Sequence, residues 1–126
     1  MNTRSTDNKK YLRALNGRTR IIDDGSGEGI LMICLVIKEA NETLTDEAFR
    51  DLRSKCDVSE KVWSKLLQVG KDGRLLEIKS SLPSKYTTIH QIHCLSDEEL
   101  KEGIKDGIIN PNVSEGNLTK WLKEIR

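Results

Sequence analysis

Four stretches of the chain open in the same way: a hydrophobic residue, then a Ser or Thr, then a second hydrophobic residue four positions after the hydroxyl. Leu44, Thr45 and Phe49 make the first, and Val58, Ser59 and Trp63 the second. Leu95, Ser96 and Leu100 follow, and Val113, Ser114 and Leu118 complete the set. A hydroxyl side chain at a helix start accepts from the orphan amides of the first turn, and the flanking apolar pair staples the entering chain to that turn. Each signal therefore predicts a helix start. Glu99, three residues beyond Ser96, adds the other half of a capping box.

Behind each start the apolar residues fall on one helical face. The stripes are Ala48, Phe49, Leu52 and Cys56; Val62, Trp63, Leu66 and Leu67; Leu100 and Ile104, ending at Gly107; and Leu118, Trp121, Leu122 and Ile125. Between Gly73 and Pro83, Leu75–Ile78 suits a short helix, and Thr88–Leu95 predicts another that buries Ile89 and Ile92. The run Ile30–Ile37 taken alone fits a buried strand, but its polar continuation through Lys38, Glu39 and Ala40 favours a core helix. The predicted fold class is all-α, a compact multi-helix domain over residues 29–126. Residues 1–28 are polar, basic and glycine-rich at their end, and read as a flexible arm plus linker with short local structure around Tyr11–Leu15.

Composition agrees with helices. Charged residues make up 33% and aromatics 4%, far from the aromatic and β-branched content of a sandwich or barrel. A length of 126 residues fits one domain. The net charge of +1 conceals an asymmetry: residues 1–20 hold six basic side chains against Asp7 alone, and the rest of the chain is slightly acidic. A basic arm on an acidic body is a frequent layout in nucleic-acid binders. Cys34, Cys56 and Cys94 are odd in number and widely spaced, which points to reduced thiols and a cytoplasmic location. The apolar run of eight residues is too short for a membrane span, so no membrane partner is expected.

The middle third carries the sharpest functional signal. Asp46–Lys55, a turn at Cys56-Asp57-Val58, and Ser59–Val69 have the spacing of a helix-turn-helix, at about residues 46–69. Asp57 stands where that turn usually has Gly, and tolerates a left-handed backbone through local bonding. Arg53 stands where the first helix usually has a small residue; either its stem lies on the core with the guanidinium outside, or the helices cross loosely. If the second helix enters a major groove, its outward residues are Ser59, Glu60, Lys61, Ser64, Lys65 and Gln68. Lys61, Lys65 and Gln68 can donate to purine edges and Glu60 can accept from cytosine. Arg50, Arg53 and Lys71 are candidate phosphate contacts.

With the C-terminal third added, the chain resembles a group of phage and plasmid proteins distantly related to the helix-turn-helix part of ParB-type partition proteins. The helix from Ile30, Asp57–Trp63, Leu82–Ile89, Leu95–Leu100 and Ile109–Ser114 carry the likeness, in order, over roughly residues 29–126. The resemblance implies a helical, often dimeric DNA-binding module that serves regulation or partition of a mobile element. Its partners would be double-stranded DNA and a second copy of the chain, in the cytoplasm of the host cell if phage-encoded.

Other chemistry has weaker support. His90, His93 and Cys94 lie close in sequence but fall short of a zinc ligand set. The Gly25–Gly29 segment lacks the Lys-Ser/Thr of a phosphate loop, and no nucleophile and base pair up. The chain is expected to be no enzyme and to need no metal or cofactor. An alternative to DNA binding is a small phage adaptor that docks the acidic surface from Asp97 to Ile125 on a host transcription, replication or defence protein.

Overall fold

A computed structural model describes residues 4–15, 26–56 and 58–126. Among them are eight α-helices and one 3-10 turn, with no strand. The helices are α1 (Lys9–Leu15), α2 (Gly27–Thr43), α3 (Asp46–Lys55), α4 (Glu60–Gly70), α5 (Gly73–Glu77), α6 (Tyr86–His93), α7 (Asp97–Lys105) and α8 (Glu115–Ile125). The 3-10 turn spans Lys79–Ser81.

All four stapled starts are helix starts. Thr45 Oγ1 accepts from Ala48 N at 3.2 Å, Ser59 Oγ from Val62 N at 3.2 Å, and Ser114 Oγ from Asn117 N at 3.1 Å. Ser96 and Glu99 close the capping box in both directions, at 3.1 and 3.0 Å. α7 ends as its glycine suggested. Gly107 has φ 73°, Gly107 N bonds Ile104 O at 3.1 Å, and Ile108 N bonds Gly103 O at 3.0 Å. Together they form a complete Schellman stop.

The apolar run is the central helix, not a strand. α2 starts on Ser26, whose side chain accepts from Gly29 N at 3.0 Å. It buries Ile30, Leu31, Ile33, Cys34, Ile37 and Ala40. α1, α3, α4, α6 and the 3-10 turn all pack on it. A helix enclosed on several sides needs apolar residues around much of its circumference, which is why this segment lacks a one-sided stripe. The helix from Ile30 begins three residues earlier than its hydrophobic run, at Gly27, where a side chain would meet the Leu82 carbonyl 2.2 Å away.

The reading of residues 1–28 as a flexible arm does not hold for residues 4–15. Tyr11 and Leu15 belong to the core at 4% and 1% exposure. Asn8 donates from Nδ2 to Ala48 O at 2.9 Å and to Asp51 Oδ2 at 3.0 Å. Ser5 bonds both Thr43 O and Thr45 N, so the segment seals the corner between α2 and α3. The physical reason is that Tyr11 and Leu15 lie four apart on one face of a short helix, a signal too brief to stand out among six cations. The remainder of the expected linker, residues 16–25, lies outside the described residues, as does Asp57.

Cys34 is fully buried, and desolvation pushes its thiol up to about 12. Cys56 is buried too, whereas Cys94 is exposed at the end of α6. A thiol reagent on the native protein is expected to modify Cys94 rapidly and the other two only on unfolding, since the thiolate is the reactive form. Rapid reaction of a second cysteine under native conditions would contradict this packing.

Candidate nucleic-acid interface

α4 is held from behind by two helices. Its apolar face, Trp63, Leu66 and Val69, is buried, and it packs most extensively on α2 and then on α6. The opposite arc carries Glu60, Lys61, Ser64 and Gln68, all exposed, with Lys65 half-buried at its edge. Lys71 is exposed just past the C-terminus. Residues spaced three and four apart on a helix share a face, so these side chains form one continuous polar surface.

Several of the expected site residues have partners within the fold. Ser59 Oγ is committed to capping α4. Gln68 Oε1 lies 2.9 Å from His90 Nε2, and Gln68 Nε2 reaches Ser64 Oγ at 3.5 Å. Arg53 directs Nη1 to the Val58 carbonyl at 3.5 Å, back over the turn. Arg50, Lys61, Lys65 and Lys71 make no ion pair among the described residues. With Arg53 they place five cations on α4 and the adjoining edge of α3, beside Glu60 on α4 and Asp46 and Glu47 one turn before Arg50.

The two helices do not cross closely. Phe49 and Trp63 meet between them with ring centroids 5.5 Å apart. Beside that contact runs a groove of about 220 Å³, floored by Phe49, Trp63 and Leu67 and edged by Arg50, Arg53 and Ser64. The close crossing in this region belongs instead to α2 and α4, where a Cβ on Gly70 would lie 2.3 Å from Cys34 O. Arg53 is half-buried at the edge of that groove, with Phe49, Trp63 and Leu67 lining it beside the arginine.

A polar cluster behind α4 has no counterpart in the sequence reading. Arg74 bonds Asp72 through Nε at 2.9 Å and Nη2 at 2.7 Å, and also bonds Asp97, His93 O and Leu95 O. His93 Nδ1 lies 2.9 Å from Asp72 Oδ2. The arginine thereby ties the α4–α5 corner to the carbonyls that end α6, and its five donors in a fixed fork suit it to that task. His90 and His93 lie 5.6 Å apart but turn to separate partners, Gln68 and Asp72. Burial, followed by His93 and Lys65, lowers the His90 pKa. The only hint in the sequence was that Asp72, Arg74 and Asp97 all flank helix starts.

Burial alone would raise the Asp72 pKa, but the hydrogen bonds from Arg74 and His93 outweigh it and bring the carboxyl down to about 2. A carboxylate depressed in the folded state contributes stability above its unfolded pKa of about 4 and loses it as pH falls through the folded value. Asp72→Asn is therefore expected to lower stability by about 2 kcal/mol at pH 7 and by progressively less from pH 4 down to pH 2. The check is a set of urea unfolding curves across that range; a deficit independent of pH would refute the electrostatic account.

The pairings Gln68–His90 and Asp72–His93 show that α4 and α6 run in the same direction. α6 and α8 do as well, since Gln91 bonds Thr119 while Thr87 and Thr88 line a cavity with Ser114–Gly116. The positive ends of three helix dipoles consequently face one end of the molecule. Among the described residues no helix is long and apolar enough to cross a membrane. No family model matches the chain, and neither does any curated protein or solved structure.

Proposed function

We propose that the protein binds double-stranded DNA through the polar arc of α4, with α3 and α4 acting as a helix-turn-helix. The observation that carries this reading is the charge on that arc and on the adjoining edge of α3. Arg50, Arg53, Lys61, Lys65 and Lys71 lie there, beside Glu60 on α4 and Asp46 and Glu47 at the start of α3, and none of the five is spent on an ion pair among the described residues. Cations left unpaired on a helix supported from behind are available to phosphates and purine edges. The likeness to the helix-turn-helix part of ParB-type proteins supports the same reading and extends it to regulation or partition of a phage or plasmid. A homodimer would present two such helices roughly 34 Å apart to successive major grooves. The test is a mobility shift with duplex fragments at two salt concentrations. Complexes that persist unweakened as salt rises would rule out a phosphate-dominated interface.

A second reading, an adaptor for a host protein, draws on the C-terminal surface. Ile104 and Ile125 are exposed at 44% and 41%, the first of them on the acidic helix α7. Pull-down from nuclease-treated lysate separates the two: a partner retained without nucleic acid favours the adaptor, and loss of every partner favours DNA.

A further inference from the structure

Pro83 and Pro111 bring two loops together beneath the N-termini of α6 and α8, and between them lies a cavity of about 510 Å³. That is the size of a small-ligand pocket. Its chemistry is unlike that of the other helix starts. Lys85 occupies the cap position of α6 but makes no side-chain cap bond, and the amides of Tyr86, Thr87 and Thr88 have no hydrogen-bond partner among the described residues. The other seven-residue or longer helices from α2 onward each use a Ser or Thr for that purpose.

Thr88 supplies an independent observation. It is only 1% exposed and its hydroxyl makes no hydrogen bond among the described residues. Yet no described side-chain oxygen or nitrogen that is shut off from solvent lacks a partner. The small part of Thr88 that remains accessible is therefore its hydroxyl, and it opens on the cavity that Thr88 lines. That hydroxyl, without a protein partner among the described residues, keeps a donor and acceptor for whatever fills the cavity.

We propose that this cavity binds a phosphoryl group. Free amides at the start of α6, the Thr88 hydroxyl and the Lys85 ammonium supply donors and positive charge, the combination that helix N-termini offer to phosphates. Glu115, on the opposite wall, narrows the class. Its carboxylate repels a bare anion but accepts a hydrogen bond from a hydroxyl beside the phosphate. A nucleotide, with a phosphate and sugar hydroxyls adjoining, meets both demands. The phosphate can come from a free nucleotide or from the backbone of a nucleic acid.

The cavity has no lining residue on α3 or α4, so the two assignments fail separately. Amide resonances of the intact protein are followed while adenosine monophosphate, inorganic phosphate or duplex DNA is added. With adenosine monophosphate, the signals of Thr87, Thr88 and Gly116 are expected to shift, in the wild type and equally in Lys61→Glu/Lys65→Glu. Lys85→Ala is expected to weaken this binding about tenfold, the usual scale of a charge-assisted contact. Thr88→Val, which preserves side-chain shape, is expected to weaken it several-fold with helix content unchanged. If the same amides respond only to duplex DNA, and lose that response in Lys85→Ala, the phosphoryl site stands and its source is the nucleic-acid backbone. No response to any of the three, or a response indifferent to both substitutions, overturns the proposal.

Discussion

Reversing two charges, Lys61→Glu with Lys65→Glu, is expected to reduce duplex DNA binding by at least about a hundredfold at moderate salt. The estimate follows from the surface itself. On the α4 arc and its C-terminal residue, Lys61, Lys65 and Lys71 face Glu60, a balance of +2, and the double substitution turns that to −2. Both positions lie on the outer arc of a helix whose packing rests on Trp63, Leu66 and Val69, and Glu is as good a helix former as Lys. Helix content should accordingly be unchanged in circular dichroism. An internal reporter is available: Lys65 contributes to lowering the His90 pKa, so replacing it with Glu should raise that pKa. Reversal of Lys101 and Lys120, exposed on α7 and α8, serves as the control and should leave binding nearly intact. A double mutant that binds as tightly as the wild type, with His90 shifted as described, would remove α4 from the interface.

The second large effect concerns stability. Gly70→Val is expected to destabilise the fold by about 3 kcal/mol or more. A Cβ at that position would lie 2.3 Å from Cys34 O and 2.8 Å from Cys34 C. Both are backbone atoms of α2, so no rotamer change relieves the contact. The helices must separate, and the α2–α4 pair is the most extensive helix contact in the molecule. Gly73→Ala provides the matched control, because nothing lies within 4 Å of a Cβ there. It is expected to be neutral or slightly stabilising through the unfolded chain. Urea midpoints at constant m-value would measure both. Equal stability of the two variants would mean that α2 and α4 do not approach as described.

The expectations for the candidate site fared unevenly, for a physical reason. The outward arc of α4 was legible because exposure on a helix follows its 3.6-residue period, and Trp63, Leu66 and Val69 mark the buried side. What that arc touches was not legible. Gln68 is held by His90 and Arg53 by the Val58 carbonyl, through bonds that reach 22 residues in one case and 5 in the other. The Arg74 cluster spans Asp72 to Asp97, and its members carry no spacing that announces it. The Thr88 cavity is harder still to foresee, since Pro83 and Pro111 meet only because α6 and α8 run side by side.

By itself the sequence determined that the chain is helical and where four of its helices begin. The apolar partners of Thr45, Ser59, Ser96 and Ser114, and the glycine that stops α7, act within a turn of chain, so their effect needs no tertiary contact. Tertiary structure alone decided which helix is central and what becomes of the N-terminal residues. α2 is the hub because α1, α3, α4 and α6 pack around it, and α1 joins the fold because Tyr11 and Leu15 enter the core and Asn8 bonds Ala48 and Asp51, 40 and 43 residues away. Such partners are set by three-dimensional proximity, and a local pattern of hydrophobic and polar positions carries no record of them.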